Sequence, residues 1–180
     1  MIRWLLWIMA GALLGGIVHL ATILVLPRTA SQDAYARLSP ITPVNAFTLL
    51  PAPAPDSALM PFMDPAFAVA VCRFDLAGGP MKLAIPVSPA YTSVTFYTRT
   101  GVAFYAVNDR SAGRRMIELD LMTPAQHGDL PEEEDVTAAD RLIIDAPTVT
   151  GLILARALSP EPGQMAQARQ SLEKAQCSAH

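Results

Sequence analysis

The chain has 180 residues, is 52% apolar and carries a net charge of −3. Its 13 lysines and arginines are scattered, with Arg114-Arg115 the one adjacent pair, so it lacks the clustered basic footprint that nucleic acid binding needs. Setting aside the apolar N-terminus, about 150 residues remain, enough for one domain with a real core.

Trp4 to Leu26 reads WLLWIMAGALLGGIVHLATILVL, 23 residues without a carboxylate, lysine or arginine. At about 1.5 Å per helical residue it crosses a hydrocarbon core of roughly 30 Å, so membrane lipid is its expected surrounding. The run is longer than a signal-peptide core, and Pro27-Arg28-Thr29 stands where a cleavage site wants small residues. An uncleaved anchor is therefore expected over a cleaved signal. Trp4 and Trp7 suit the headgroup level, and Pro27 is expected to end the helix. Gly11, Gly15, His19 and Thr22 follow one another at spacings of four, four and three. Small residues on one face let two membrane helices approach, and a polar group there bonds across the contact. The plainer reading is glycines tolerated in a lone anchor. His19 has no second ligand in the span, so no haem or metal role is assigned to it.

Ser31 is placed to cap a short surface helix through Asp33, Tyr35 and Leu38. Pro40, Pro43, Pro51, Pro53, Pro55, Pro61 and Pro65 then exclude helix and central strand. They predict an extended strap with one short strand at Asn45 to Leu50, a stiff spacer laid on the domain rather than a partner-binding polyproline surface. The expected organisation is residues 1–28 as anchor, 29–65 as surface helix and strap, and 66–180 as a β-rich domain.

From Phe67 the pattern is that of strands. Phe67 to Phe74 is almost continuously apolar, and Leu76-Ala-Gly-Gly-Pro80 supplies a turn into Met81 to Val87, which predicts a hairpin. Tyr91 to Arg99 alternates, with Val94 and Phe96 on one face and Ser93, Thr95 and Tyr97 on the other. After a turn at Thr100-Gly101, Val102 to Val107 forms the next strand, and Asn108-Asp109-Arg110-Ser111 is turn chemistry. Met116 to Met122 places Ile117, Leu119 and Leu121 inward, and Leu142 to Asp145 and Val149 to Leu158 follow. Spacings of roughly 8 to 15 residues without long intervening helices predict a mainly β fold, an antiparallel sandwich or jelly-roll-like barrel. Residues 164–177 break the pattern: Met165, Ala168, Leu172 and Ala175 recur at helical spacing and predict a terminal amphipathic helix docked on the sheet.

The runs DPAFAVAVCRFDL (Asp64 to Leu76), GVAFYAVNDR (Gly101 to Arg110), AADRLIIDAPTVTGLILARAL (Ala138 to Leu158) and PEPG (Pro160 to Gly163) carry a resemblance. The chain resembles small membrane-anchored members of the domain of unknown function twelve fifty-four family, found mainly in alphaproteobacteria. The resemblance implies a β-rich fold in the cell envelope. It also implies a candidate partner: a second anchored protein carrying the β-rich sister domain of unknown function that longer relatives hold in the same chain. It carries over no catalytic residue.

Cys72 and Cys177 are the only cysteines. In an oxidising compartment they read as a disulfide pinning the terminal helix to the sheet, against the alternatives of a buried Cys72 with a free Cys177, or a metal pair. Arg3 before the span and Arg28 and Arg37 after it leave the positive-inside count nearly balanced. The disulfide reading instead sets the orientation: bacterial inner membrane, N-terminus cytoplasmic, globular domain periplasmic. No nucleophile–base–orienter set or G-x-S-x-G elbow is present, so no catalytic residue and no cofactor is assigned. His127 with Glu132, Glu133, Glu134, Asp135 and Asp140 lacks the spacing of a calcium loop and reads as a solvated acidic loop, so no metal is expected. Arg99, Asn108, Asp109 and Arg110, near Tyr97 and Tyr105 if their strands pair, are a candidate polar pocket; an Asp–Arg staple of the turn is the plainer alternative. The expected function is a membrane-anchored accessory or interaction protein, with a ligand-binding or enzymatic β domain around that pocket as the alternative.

Overall fold

The structure is a computed structural model and describes residues 1–29, 33–54, 59–112, 115–130 and 142–179. The chain divides into two compact units, Met1–Asp33 and Ala34–His180. The first is helix α1 (Ile2–Thr29), in which Ile2–Leu26 is long and apolar enough to cross a membrane. α1 passes through Pro27 to Thr29 rather than stopping there. A proline forfeits its own bond to residue i−4 but leaves the final turn free to continue, so the expected stop comes slightly late. Ser31, the expected cap of the next helix, lies outside the described residues.

The second unit follows as α2 (Ala34–Leu38), β1 (Phe47–Leu49), β2 (Phe67–Asp75), β3 (Met81–Pro86), β4 (Thr92–Thr98) and β5 (Ala103–Asn108). After these come α3 (Asp109–Ala112), β6 (Met116–Met122), α4 (Pro124–Gly128), β7 (Leu142–Asp145) and β8 (Thr150–Leu158). A turn of 3-10 helix at Pro162–Gln164, α5 (Met165–Glu173) and β9 (Gln176–Ala179) complete it. The strands form a five-stranded sheet, β1-β2-β8-β4-β5, and a four-stranded sheet, β7-β6-β3-β9. The mainly β sandwich expected from the strand spacing is what forms. One ladder departs from it, since β6 and β7 run parallel.

Period-two burial explains the pairing of the layers. Ala68, Ala70, Cys72 and Phe74 of β2 and Ile153, Ala155 and Ala157 of β8 face Met81, Leu83 and Ile85 of β3 and Ile117, Leu119 and Leu121 of β6 in one core. Gly151 marks the tightest approach in it. A Cβ there would stand 2.2 Å from Tyr97 O and 2.6 Å from the Phe74 ring.

Two expectations fail for a shared reason, that strand edges are claimed by distant partners. β2 and β3 are not a hairpin: β2 is flanked by β1 and β8, while β3 sits between β6 and β9 in the other sheet. The Leu76–Pro80 turn, with Asp75 Oδ1 accepting from Ala77 N–H and Gly79 at φ 135°, carries the chain across the sandwich. Likewise the terminal helix stops at Glu173, and Cys177 lies in a strand rather than at the helix end. The free edge of β3 offers hydrogen bonds that pair Leu83 with Cys177, and burial of Cys177 at 5% exposure holds the register.

Candidate functional site

The outer face of the five-stranded sheet has a second, smaller core. Residues that alternate with the inner set line up in rows across β2, β8 and β4. Val69, Arg156 and Ser93 form one row; Val71, Leu154 and Thr95 the next; Arg73, Leu152 and Tyr97 the third. The middle row is apolar on both β2 and β8, while the first carries Arg156 and the third Arg73. Leu38 from α2 and Leu50 after β1 close on Val71 and Leu152, with Met60 and Met63 of the strap packed around them.

The cover is partial. A cleft of about 360 Å³ remains between the sheet face, α2 and residues 60–64, floored by Val69, Val71, Leu152 and Leu154. Phe62 on its rim is fully exposed and left-handed at φ 59°, a conformation uncommon for a bulky side chain. At the α2 end, Tyr35 lies beneath Arg99 at 4.1 Å and near Arg73 at 5.8 Å, and Arg73 Nη1 donates to Ser39 Oγ. At the other end Arg156 stacks over the Phe67 ring at 5.7 Å. Arg156 Nε and the facing Ser93 Oγ are both buried without a hydrogen-bond partner. Buried polar atoms are normally satisfied; Arg73 Nε on the same face also lacks a partner, and of these three residues Arg156 is the one that lines the cleft.

Residues 44–178 match the family described as "Protein of unknown function (DUF1254)". The chain belongs to this family. No match was found among curated proteins. Among solved structures, the VPA0106 protein from Vibrio parahaemolyticus is similar at TM-score 0.58 and 12% identity, over 81% of this chain and 32% of that one. A putative uncharacterized protein from Burkholderia cenocepacia is similar at TM-score 0.48 and 17% identity, over 71% of this chain and 34% of that one. The chain thus spans about a third of the length of each. At such identity the first likeness shows a shared fold alone. The DUF1254 match takes in the sheet face and the strap from residue 44 onward, while Ala34 and Leu38, which wall the cleft from α2, precede it.

Within the DUF1254 domain the residues singled out by sequence separate. Arg99 lies at the turn end of the β4–β5 hairpin, and Asn108 pairs with Ser93 at its opposite end. Four residues along β4, about 13 Å, lead from Ser93, the partner of Asn108, to Tyr97, and Arg99 lies beyond, so Arg99 is at the other end of the hairpin from Asn108, Asp109 and Arg110. Asn108 to Arg110 lead into the single turn of α3, where Asp109 Oδ1 is buried without a partner among the described residues. Cys72 and Cys177 are joined as a disulfide between the two sheets, and Met81 Sδ sits 3.3 Å from Cys177 Sγ. His127 Nδ1 lies 2.9 Å from Asp145 Oδ1, both partly exposed. Residues 132–135 and Asp140 lie outside the described residues, as does Arg114. Among the described residues no group of three or more His, Cys, Asp and Glu converges as metal ligands would.

On α1, Gly11 and Gly15 stand open, with nothing within 4 Å of a Cβ built on either. The Thr22 hydroxyl donates to Val18 O at 2.8 Å, so it offers a neighbour an acceptor rather than a free donor. Arg156 and Ser93 were missed by the sequence reading. Their signal is faint: a single arginine interrupting the Leu152-Ile153-Leu154-Ala155 run, and a serine in an alternating strand, gain meaning only once register sets them side by side.

Proposed function

We propose that the chain is a membrane-anchored accessory or interaction protein of the bacterial envelope that works with a membrane-protein partner. The observation that carries this reading is the surface of α1. Ile2–Leu26 is long and apolar enough to cross a membrane, and its apolar stretch is not buried in the protein. An apolar surface of this extent is stable in lipid or against another apolar helix, and a helix satisfies its own backbone there. The Cys72–Cys177 disulfide supports an oxidising compartment for the domain, hence a periplasmic domain and a cytoplasmic N-terminus at the inner membrane. The face of Gly11, Gly15, His19 and Thr22 is the proposed helix–helix contact, with close approach at the glycines and polar groups alongside. An anchored protein bearing the sister domain is the proposed partner. The chain's span of 32% of the VPA0106 chain supports the idea that related assemblies contain more than this fold.

Affinity purification of the full chain from membranes in mild detergent tests the reading. A membrane protein is expected to co-purify, and Gly11→Leu with Gly15→Leu is expected to remove most of it while leaving the chain in the membrane fraction. Unchanged recovery of the partner from the double variant would overturn the helix contact, and recovery of the wild-type chain in the soluble fraction would overturn the anchor.

A further inference from the structure

We propose that the cleft on the outer face of the five-stranded sheet binds a single-tailed carboxylic acid of the fatty-acid type, its tail over Val69 and Leu154 and its carboxylate on Arg156. The floor argues for a hydrocarbon tail. β2, β8 and β4 are each paired on both sides, so their backbone groups are spent and only side chains face the cleft. A peptide laid there would bury amides with nothing to bond, which is costly, whereas a methylene chain asks for no partner. The volume of about 360 Å³ lies at the small-molecule end of the usual range of roughly 300 to 1,000 Å³. Met60 and Met63, unbranched and adaptable, line its cover and suit a flexible tail.

The head follows from charge. Arg156 lines the cleft, and among the described residues nothing accepts a hydrogen bond from its Nε. A carboxylate in the cleft takes charge-assisted hydrogen bonds from that guanidinium. Asp64 also lines the cleft, its Oδ1 accepting from Ala66 N–H at 2.9 Å. That second negative charge disfavours a doubly charged phosphate head and leaves a monoanion as the better fit.

The test uses the full chain in phosphatidylcholine nanodiscs and a dodecanoate bearing a diazirine in its tail. Photolabelling is read by peptide mapping. Labels are expected within residues 60–71 and 152–154, displaced by unlabelled dodecanoate. Arg156→Gln is expected to lower that labelling about tenfold, the loss of a charge-assisted bond. Arg156→Lys, which keeps the charge, falls between, and Leu154→Trp, which fills the floor, abolishes it with thermal unfolding unchanged. Labelling confined to α1 would overturn the site. So would equal labelling by the uncharged dodecanol analogue, equal loss in the Gln and Lys variants, or persistence in Leu154→Trp. Each outcome is read from the domain's own peptides, so it stands or falls separately from partner recovery through α1.

Discussion

The two faces of the five-stranded sheet are built from alternate residues of the same strands, and they are packed to different ends. On the inner face Ala70, Cys72, Phe74, Phe96 and Ile153 are completely buried against a second sheet. On the outer face Val69 and Leu154 are half-buried under one short helix and a proline-rich strap, and the cover leaves a cleft. A sheet layer presents a continuous surface that interdigitates, whereas a five-residue helix and an extended segment contact only part of the face. One side is therefore closely packed and the other keeps an open cleft.

The sharpest way to break this contrast is to cut the covalent tie on the inner side. Cys72→Ala with Cys177→Ala opens a link spanning 105 residues and is expected to lower the unfolding free energy. The chain-entropy argument puts that loss at about 4 to 5 kcal/mol, measurable by urea titration of the full chain in mild detergent. A loss below about 1 kcal/mol would show that packing alone holds the sheets together.

Next in size is overpacking at the closest approach. Gly151→Ala pushes a methyl into Tyr97 O and the Phe74 ring, two groups fixed in the ladder and the core. It is expected to cost about 3 kcal/mol in the same titration. A neutral result would mean that β8 can slide away from its neighbours, which the inner-face packing does not allow.

The smallest effect separates the faces directly. Leu83→Ala on the inner side, at 2% exposure, is expected to cost about 3 kcal/mol. Leu154→Ala, half-buried beside a space that already exists, is expected to cost about 1 kcal/mol, because little new cavity is created. Equal losses at the two positions would erase the distinction between a packed core and a ligand cleft.

Much of this architecture is legible in the chain. The Trp4–Leu26 run, the proline strap, the strand from Phe67 and the alternation of Ile117, Leu119 and Leu121 are local patterns, and each fixes one element through its own period. What failed was non-local. The Gly78-Gly79 turn looks like a hairpin turn, yet whether it joins neighbours depends on what else pairs with β2, and β8 lies far along the sequence. Gln176 and Cys177 fall within the expected helix of residues 164–177 but are drawn into a strand by the vacant edge of β3. The candidate site shows the same division. Arg99, Asn108, Asp109 and Arg110 stand out as polar residues near apolar strands, but the hairpin sets Arg99 and Asn108 at opposite ends.

By itself, then, the sequence determined the anchor-like helix, the β class and the positions of most strands, because length, proline placement and hydrophobic period act over a few residues. Only the tertiary structure decided which strands pair, that Cys177 belongs to a strand, and that Arg156 comes to line an apolar cleft. Register is a relation between distant segments, set by how two sheets bury their faces together, and no local pattern contains it.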